Sequence, residues 1–342
     1  MVDPPEMMDI LRLLRPVELE AGKVLFREGE PGKAMWVMGR GVEVTVSATQ
    51  GDPKQPGQKR PVVVAYAREG EVLGEMALVD DGPRSGTAMV VQGGHAHEID
   101  ANEFHALRGA NNPAAFKVLR RVCTDLCARL RATNDRIVPP STSAVQTPSM
   151  TSTQRPGAQV MDEFSAFKGM PATVKLALAQ KLQLIEVNEV TPLFAEGEPS
   201  DGAWFLVEGE VSVGRNGKTL ANLAPGAMFG VVSAIDQGTR SASCVTTGPA
   251  KLLKLGERDF DALFASGHRF AFQIVDLAAR QLTFHLRQAN ALLSLPGKAP
   301  AAKAPPPPPA PVSKFDEIDP AAMEIDFDLD EITIEPDAGI LG

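Results

Sequence analysis

The sequence predicts a mainly β protein with flanking helices: two tandem double-stranded β-helix (jelly-roll) domains followed by a disordered tail. Three observations predict it. The first is an internal repeat, in which LFREGEPGKAMW (25–36) matches LFAEGEPSDGAW (193–204) at a constant offset of 168. Phe26/Phe194, Gly29/Gly197, Pro31/Pro199, Trp36/Trp204 and Gly41/Gly209 all fall in register. The second is a set of short, closely spaced strand signals between Gly, Pro and Asp turns in both copies, the pattern of a closed or two-sheet antiparallel structure. The third is a helical period after each set: Phe116, Leu119, Val122, Leu126 and Leu130 within 113–137, and Phe270, Ile274, Leu277 and Leu282 within 267–294.

In chain order, residues 1–138 form the first domain, with strands expected at KVLF, AMWVMG, VEVTV, VVVAYA and HAHEID. By Gly74/Gly230 and Arg84/Arg240 the repeat offset has become 156, so the first copy carries twelve extra residues. They fall in ATQGDPKQPGQKR (48–60), whose Gly, Pro and Gln content predicts a long, mobile hairpin loop. The second copy makes the same turn with GRNGK (214–218), which holds the Asn-Gly hairpin signal. Residues 139–160 are expected to be a flexible linker, because four prolines and no aromatic residue leave nothing to bury. The second domain spans 161–295, opening on two short helices at 162–182 and continuing through AWFLVEG, EVSVG, KTLANL and AKLLKL. Residues 296–342 follow as a Pro-rich spacer and an acidic tail.

Charge is unevenly placed. Residues 312–342 hold ten acids and one base, Lys314, which accounts for the whole net charge of −9 and leaves residues 1–311 neutral. A neutral body offers no basic face for nucleic acid, and Arg120, Arg121, Arg129 and Arg131 are expected on the solvated face of an amphipathic helix. No apolar run approaches the roughly 18–20 residues of a membrane helix, and MVDPPEMMDI lacks the pattern of a signal peptide. Cys123, Cys127 and Cys244 cannot form a disulfide framework in so long a chain, so a reduced, cytoplasmic protein is expected. Cys123 and Cys127 share a helix face and are expected to pack. His95-Ala96-His97 has the form of a strand metal motif, but the second copy has Lys251 and Leu253 there and no third ligand follows, so no metal is expected. With no phosphate-loop, nucleophile-elbow or zincin pattern, no catalytic residue is assigned and the chain is expected not to be an enzyme.

The chemistry concentrates in GEMALVDDGPRSGTA (74–88). Gly74 permits an unusual turn, and Glu75-Met76-Ala77-Leu78 can open a short helix whose free N–H groups welcome a phosphate. Arg84 supplies a permanently charged planar fork for phosphate oxygens, and Ser85 adds a hydroxyl. Glu75, acceptor-only when ionised, suits a sugar hydroxyl, so phosphate plus ribose satisfies both residues.

These motifs, with EGEPGKAMWVMGRG before them and a helix after, resemble the cyclic-nucleotide-binding domain of catabolite-activator-type regulators, protein kinase A regulatory subunits and cyclic-nucleotide-gated channels. The resemblance covers about 12–138 and 162–294 and implies a β roll with a phosphate-binding cassette. It implies that Glu75 holds the ribose 2′-hydroxyl, that Arg84 with Ser85 holds the cyclic phosphate, and that Gly74, Met76 and Ala77 supply cassette backbone. Gly86 stands where a small residue, often Ala, is usual. The ligand implied is cAMP or cGMP, with no further cofactor.

The second stretch, GVVSAIDQGTRSASC (230–244), keeps Gly230, Arg240 and Ser241, while Glu75 has become Val231, Ala77 Ser233 and Pro83 Thr239. It is expected to be a weak phosphate site at most, with Arg240 in a structural ion pair as the competing reading. The leading functional expectation is a cyclic-nucleotide sensor acting through a protein partner, with the acidic tail a candidate docking segment and a homodimer through the closing helices a candidate assembly. Two alternatives stand beside it. One is a catabolite-activator-type transcription regulator lacking its helix-turn-helix, since Leu295 leads straight into PGKAP. The other is a structural scaffold with relic sites.

Overall fold

The computed structural model describes residues 13–52, 55–140, 147, 150–266 and 269–293. The first domain runs through β1 (Arg15–Leu19), β2 (Val24–Phe26), β3 (Ala34–Met38), β4 (Glu43–Asp52), β5 (Gln55–Ala67) and β6 (Val72–Leu73). A one-turn helix α1 (Met76–Val79) follows, then β7 (Thr87–Gln92), β8 (Gly94–Asp100), α2 (Ala101–Gly109) and the closing helix α3 (Pro113–Ile137). Helix α4 (Ala158–Glu163), a 3-10 turn (Ser165–Phe167) and α5 (Ala172–Lys181) lead into the second domain. Its strands are β9 (Leu182–Val187), β10 (Pro192–Phe194), β11 (Gly202–Glu208), β12 (Val211–Arg215), β13 (Lys218–Leu223) and β14 (Met228–Phe229). Helix α6 (Val231–Asp236), β15 (Ser243–Thr246), β16 (Ala250–Gly256), α7 (Glu257–Ser266) and the closing helix α8 (Arg269–Leu293) complete it.

Each domain is a pair of four-stranded antiparallel sheets, and the topology repeats. Orders β1-β8-β3-β6 and β2-β7-β4-β5 in the first domain become β9-β16-β11-β14 and β10-β15-β12-β13 in the second. Inside the first roll Phe26, Trp36, Met38, Val44 and Leu73 are buried together, and inside the second Phe194, Trp204, Leu206, Val211 and Phe229 take the same role. Residues of β3 and β11 alternate between this interior and the helical cluster outside it, which takes Met35, Ala203, Phe205 and Val207, so both faces of these central strands are buried.

The closing helices carry the remaining core. Asn112 caps α3 by accepting from the Ala114 N–H, and Pro113 fits the first helical turn, where no N–H partner is needed. The apolar stripe of α3 (Phe116, Leu119, Val122, Cys123, Leu126, Cys127, Leu130) is buried in one cluster with Ile274, Val275, Ala278, Leu282 and Leu286 of α8. The two helices therefore cover each other's apolar faces within one chain, so the homodimer expected through those faces would need another surface. Cys123 and Cys127 are fully buried here, and burial pushes both thiols well above their ordinary pKa, so they pack rather than react.

Two expectations about loops change. The insertion at 48–60 is not a loop in its described part: β4 and β5 extend as a hairpin, pairing Thr49 with Pro61, Gln50 with Arg60, Gly51 with Lys59 and Asp52 with Gln55. Paired backbone in an extended antiparallel ladder outweighs the loop composition of the side chains. The second change is in the linker, where residues 150–157 run along the second domain rather than swinging free. β9 is a sheet edge, and its unpaired groups are met there: Leu184 N–H donates to Gln154 O at 2.9 Å, and Arg155 Nη1 donates to Leu182 O at 3.0 Å. The spacer and acidic tail lie outside the described residues.

Candidate functional site

Gly74 closes β6 and turns into α1 with φ +87°, a left-handed conformation that favours glycine. Space demands glycine as well, because a Cβ there would sit 2.7 Å from Arg84 Nη1. Glu75 then occupies the N-cap position with helical angles and no side-chain cap, which leaves its carboxylate to face elsewhere. Its 1% exposure makes it a buried acid, and Arg129 of α3 meets it with an Nη1–Oε1 hydrogen bond of 2.6 Å. Arg129 also donates through Nη2 to the Val72 carbonyl, so one guanidinium ties the closing helix to both sides of Gly74. Burial pushes the Glu75 carboxyl above its usual range, with the Arg129 charge opposing it. Burial also works against the Arg129 charge, but Glu75, Asp125 and Glu71 hold its pKa above the ordinary value.

Arg84 arrives from the other end of the cassette. Its backbone is fixed by Arg84 N–H to Glu30 O at 2.8 Å and by Gly29 N–H to Arg84 O at 3.0 Å. Nη1 donates to Gly74 O at 2.6 Å and Nη2 to Ala34 O at 2.5 Å, while the guanidinium carbon lies 4.2 Å from the Phe26 ring centroid. Nε is buried and has no partner among the described residues. Burial lowers the Arg84 pKa, against the pull of Glu75 and Glu30. The residue is thus a positive charge held by neutral carbonyls and aromatic faces, with its Nε unpartnered. Ser85 Oγ lies 3.7 Å from Met76 Sδ, and Met76 and Ala77 line the buried start of α1. All six cassette residues singled out in the sequence (Gly74, Glu75, Met76, Ala77, Arg84 and Ser85) therefore meet in one place.

The second cassette repeats the scaffold. Arg240 donates through Nη1 to Gly230 O at 2.7 Å and through Nη2 to Gly202 O at 2.8 Å, the positions equivalent to Gly74 and Ala34. Phe194 lies beneath it at 4.1 Å, as Phe26 does beneath Arg84. The electrostatics differ. Arg240 Nη2 also donates to the carboxylate of Asp201, which stands where the first copy has Lys33. Asp201 in turn accepts from Lys254 Nζ at 2.6 Å. Burial would raise the Asp201 pKa, but Lys254 and Arg240 bring it below the ordinary value, so it is firmly ionised.

Opposite Arg240, both members of the Glu75–Arg129 pair are replaced: position 231 is Val and position 285 is His. Burial brings the His285 pKa down to about 4, so the ring is neutral at pH 7, and its Nε2 has no partner among the described residues. Beside it lies a cavity of about 80 Å³, mostly apolar, bounded by Phe229, Val231, Ala242, Leu292 and, from α3, Leu130 and Ile137. Ser241 lines it, but nothing acidic does.

Arg129 is the site residue that the sequence reading missed. Its sequence pattern puts it with Arg120, Arg121 and Arg131 on a solvated helix face, and the structure corrects this for Arg129, whose partner is buried, while Arg121 stays at the surface. Arg129 pairs with Glu75, Arg131 with Asp236, and Arg121 with Asp125. The signal available was the repeat itself, since Glu75/Val231 and Arg129/His285 change together at the offset of 156. His95 and His97 are exposed, and His95 pairs with Glu18. No group of three or more metal-ligating side chains occurs among the described residues. No helix among them is long and apolar enough to cross a membrane.

The family model of the cyclic nucleotide-binding domain matches this chain twice, over residues 16–111 and 184–266. A CRP-like cAMP-activated global transcriptional regulator of Mycobacterium tuberculosis (strain H37Rv) is 28% identical over 131 residues, 36% of this chain and 58% of that protein. The cyclic AMP receptor protein of Thermus thermophilus is 33% identical over 135 residues, 38% of this chain and 60% of that protein. The chain thus spans about three fifths of the length of these relatives. Among solved structures, the regulatory domain of Toxoplasma gondii PKA with cAMP is 19% identical, with a TM-score of 0.29, covering 78% of this chain and 86% of that one.

Proposed function

The chain belongs to the cyclic nucleotide-binding domain family, with two copies in tandem, and on that premise we propose that it is a cyclic-nucleotide sensor with one working site. The ligand, cAMP or cGMP, binds in the first domain. Arg84 with Ser85 holds the cyclic phosphate, Glu75 accepts from the ribose 2′-hydroxyl, and Gly74, Met76 and Ala77 supply the cassette backbone. One observation carries this reading: Arg84 is a buried cation that bonds to carbonyls and rings and to no carboxylate among the described residues, whereas Arg240, whose Nε is equally unpartnered, already bonds to Asp201. An anion at that point gains a charge-assisted bond that no side chain of the protein supplies.

The second domain binds cyclic nucleotide weakly or not at all, and Gly230, Arg240 and Ser241 serve its fold. Arg240 is already neutralised by Asp201, and Val231 offers the ribose nothing. A bound phosphate would compete with a carboxylate in place.

Output follows from the Glu75–Arg129 contact. A ribose hydroxyl on Glu75 changes what Arg129 meets, and the closing helix responds only insofar as the ligand favours one of its positions. We propose that a protein partner reads that change, without catalysis by this chain. Calorimetric titration of the full chain with cAMP and, separately, cGMP tests the reading. Binding by at least one nucleotide, lost in Arg84→Lys, is expected because a single ammonium cannot replace the fork. Absence of binding by both at millimolar concentration, or binding unchanged in Arg84→Lys, would overturn it.

A further inference from the structure

The contacts between the two domains are reciprocal. Arg131 on α3 grips Asp236 at the end of the second cassette helix, through Nε and through Nη2 at 2.8 Å. Arg287 on α8 grips Asp80 at the end of the first cassette helix in the same way, with Nη2 at 2.9 Å. Both members of each pair are related by the repeat offset of 156. Each aspartate also accepts the N–H two residues on, from Gly82 and Gly238, at 3.0 Å in both cases. Phe116 and Phe272, again 156 apart, lie with ring centroids 6.1 Å from each other. Equivalent residues touching each other, and crossed pairs repeating, are the signature of a two-fold interface. Here it is made within one chain.

Each cassette also receives a contact that the other lacks among the described residues: in the second, Arg131 Nη2 donates to Thr239 O at 2.8 Å. In the first, Arg108 of α2, 8% exposed, donates to the carbonyls of Leu78 and Val79 at 3.0 Å each and pairs through Nε with Asp276 of α8. Position 264, the equivalent of Arg108, is Phe, so the second cassette has no such brace. Two acid–base contacts with α8 thus fix the last turn of the short helix that separates Glu75 from Arg84.

We propose that the second domain, through Arg287 and Asp276, is a positioning element of the first domain's ligand cassette. This rests on the reading that the first cassette is the nucleotide site. Neither residue touches the ligand. Arg287 holds Asp80, and Asp276 holds Arg108, so that Glu75 and Arg84 stand at a fixed separation before the ligand arrives. A preorganised site loses less ordering entropy on binding. The repeat without its own ribose grip is retained because the other repeat's site depends on its helix.

The test titrates cAMP into the full chain and its variants. Arg287→Gln is expected to weaken binding about tenfold, equivalent to about 1.4 kcal/mol. Asp80→Asn, which keeps the Gly82 contact, does the same, and the double variant is no weaker than either single one. Arg131→Gln removes the mirror-image latch, so it loses a comparable amount of urea stability but leaves the cAMP affinity within about twofold. Wild-type affinity in Arg287→Gln would overturn the proposal, and so would equal weakening in Arg131→Gln. A wild-type chain that binds only cGMP is titrated with cGMP instead, and one that binds neither nucleotide overturns the functional reading rather than this one. Amide hydrogen exchange over residues 77–82 then decides positioning alone, with acceleration in Arg287→Gln expected and unchanged exchange contradicting it.

Discussion

The two cassettes hold their arginines by the same means and differ in what stands opposite. Arg84 and Arg240 each lie over a phenylalanine and donate to two equivalent carbonyls, one belonging to the glycine that opens the cassette. Such an arginine and its glycine are therefore needed by the fold, and their presence alone is no sign of a ligand. The sign is charge that the protein leaves unanswered. In the first cassette no carboxylate bonds to Arg84 among the described residues, and a buried Glu75–Arg129 pair faces it. In the second, Asp201 answers Arg240, and Val231 with His285 replaces the facing pair.

The largest effect should come from removing the arginine on each side. Arg84→Ala is expected to weaken cyclic-nucleotide binding by roughly two orders of magnitude, from the loss of charge-assisted hydrogen bonds of about 1.5–3 kcal/mol each. Arg240→Ala should leave the affinity intact and lower stability instead, by roughly 3 kcal/mol in urea unfolding, because it breaks a buried pair. Equal losses of affinity would erase the distinction. Next, Glu75→Gln should weaken binding by about one order of magnitude, since the neutral amide is a poorer acceptor and no longer answers Arg129.

A smaller effect separates the positions facing each cassette. His285 has its folded pKa brought down to about 4, below the ordinary 6.5, so the unfolded chain takes up the proton first. Stability from this position is full above pH 6.5 and is lost as pH falls toward 4. Between pH 7 and pH 5.5 the loss should be about 1 kcal/mol by urea titration, and His285→Phe should remove that part of the slope. An unchanged slope would mean that the ring is already solvated. The smallest effect is expected from rebuilding the lost pair. Val231→Glu with His285→Arg should bring a second nucleotide only at roughly millimolar concentration, about −4 kcal/mol, because Asp201 still occupies Arg240. Tight binding in that variant would show that the facing pair, and not Asp201, decides competence.

Much of this was legible in the sequence because the repeat fixed the register of both copies. Gly74, Glu75, Arg84 and their counterparts lie within ten residues of each other, where spacing alone brings them together. The Asn216-Gly217 turn was equally local, and both residues adopt the positive φ that such a hairpin needs. What escaped was non-local. Arg129 meets Glu75 across 54 residues, and Arg287 meets Asp80 across 207, and a helix face cannot announce a partner that distant. The insertion at 48–60 escaped for another reason: its composition favours loops, and the pairing of β4 with β5 decided otherwise. The linker likewise lacked aromatic residues, but it found an exposed strand edge at β9 and a place for Met150 against the second domain's core.

The central claim is that one cassette works and the other does not. Native mass spectrometry of the full chain, at cAMP or cGMP about ten times the wild-type Kd so that a hundredfold weaker site stays largely empty, counts the bound nucleotides directly. One nucleotide per chain, absent in Arg84→Ala and still present in Arg240→Ala, is the predicted result. Two nucleotides per chain, or one that survives Arg84→Ala, would contradict it.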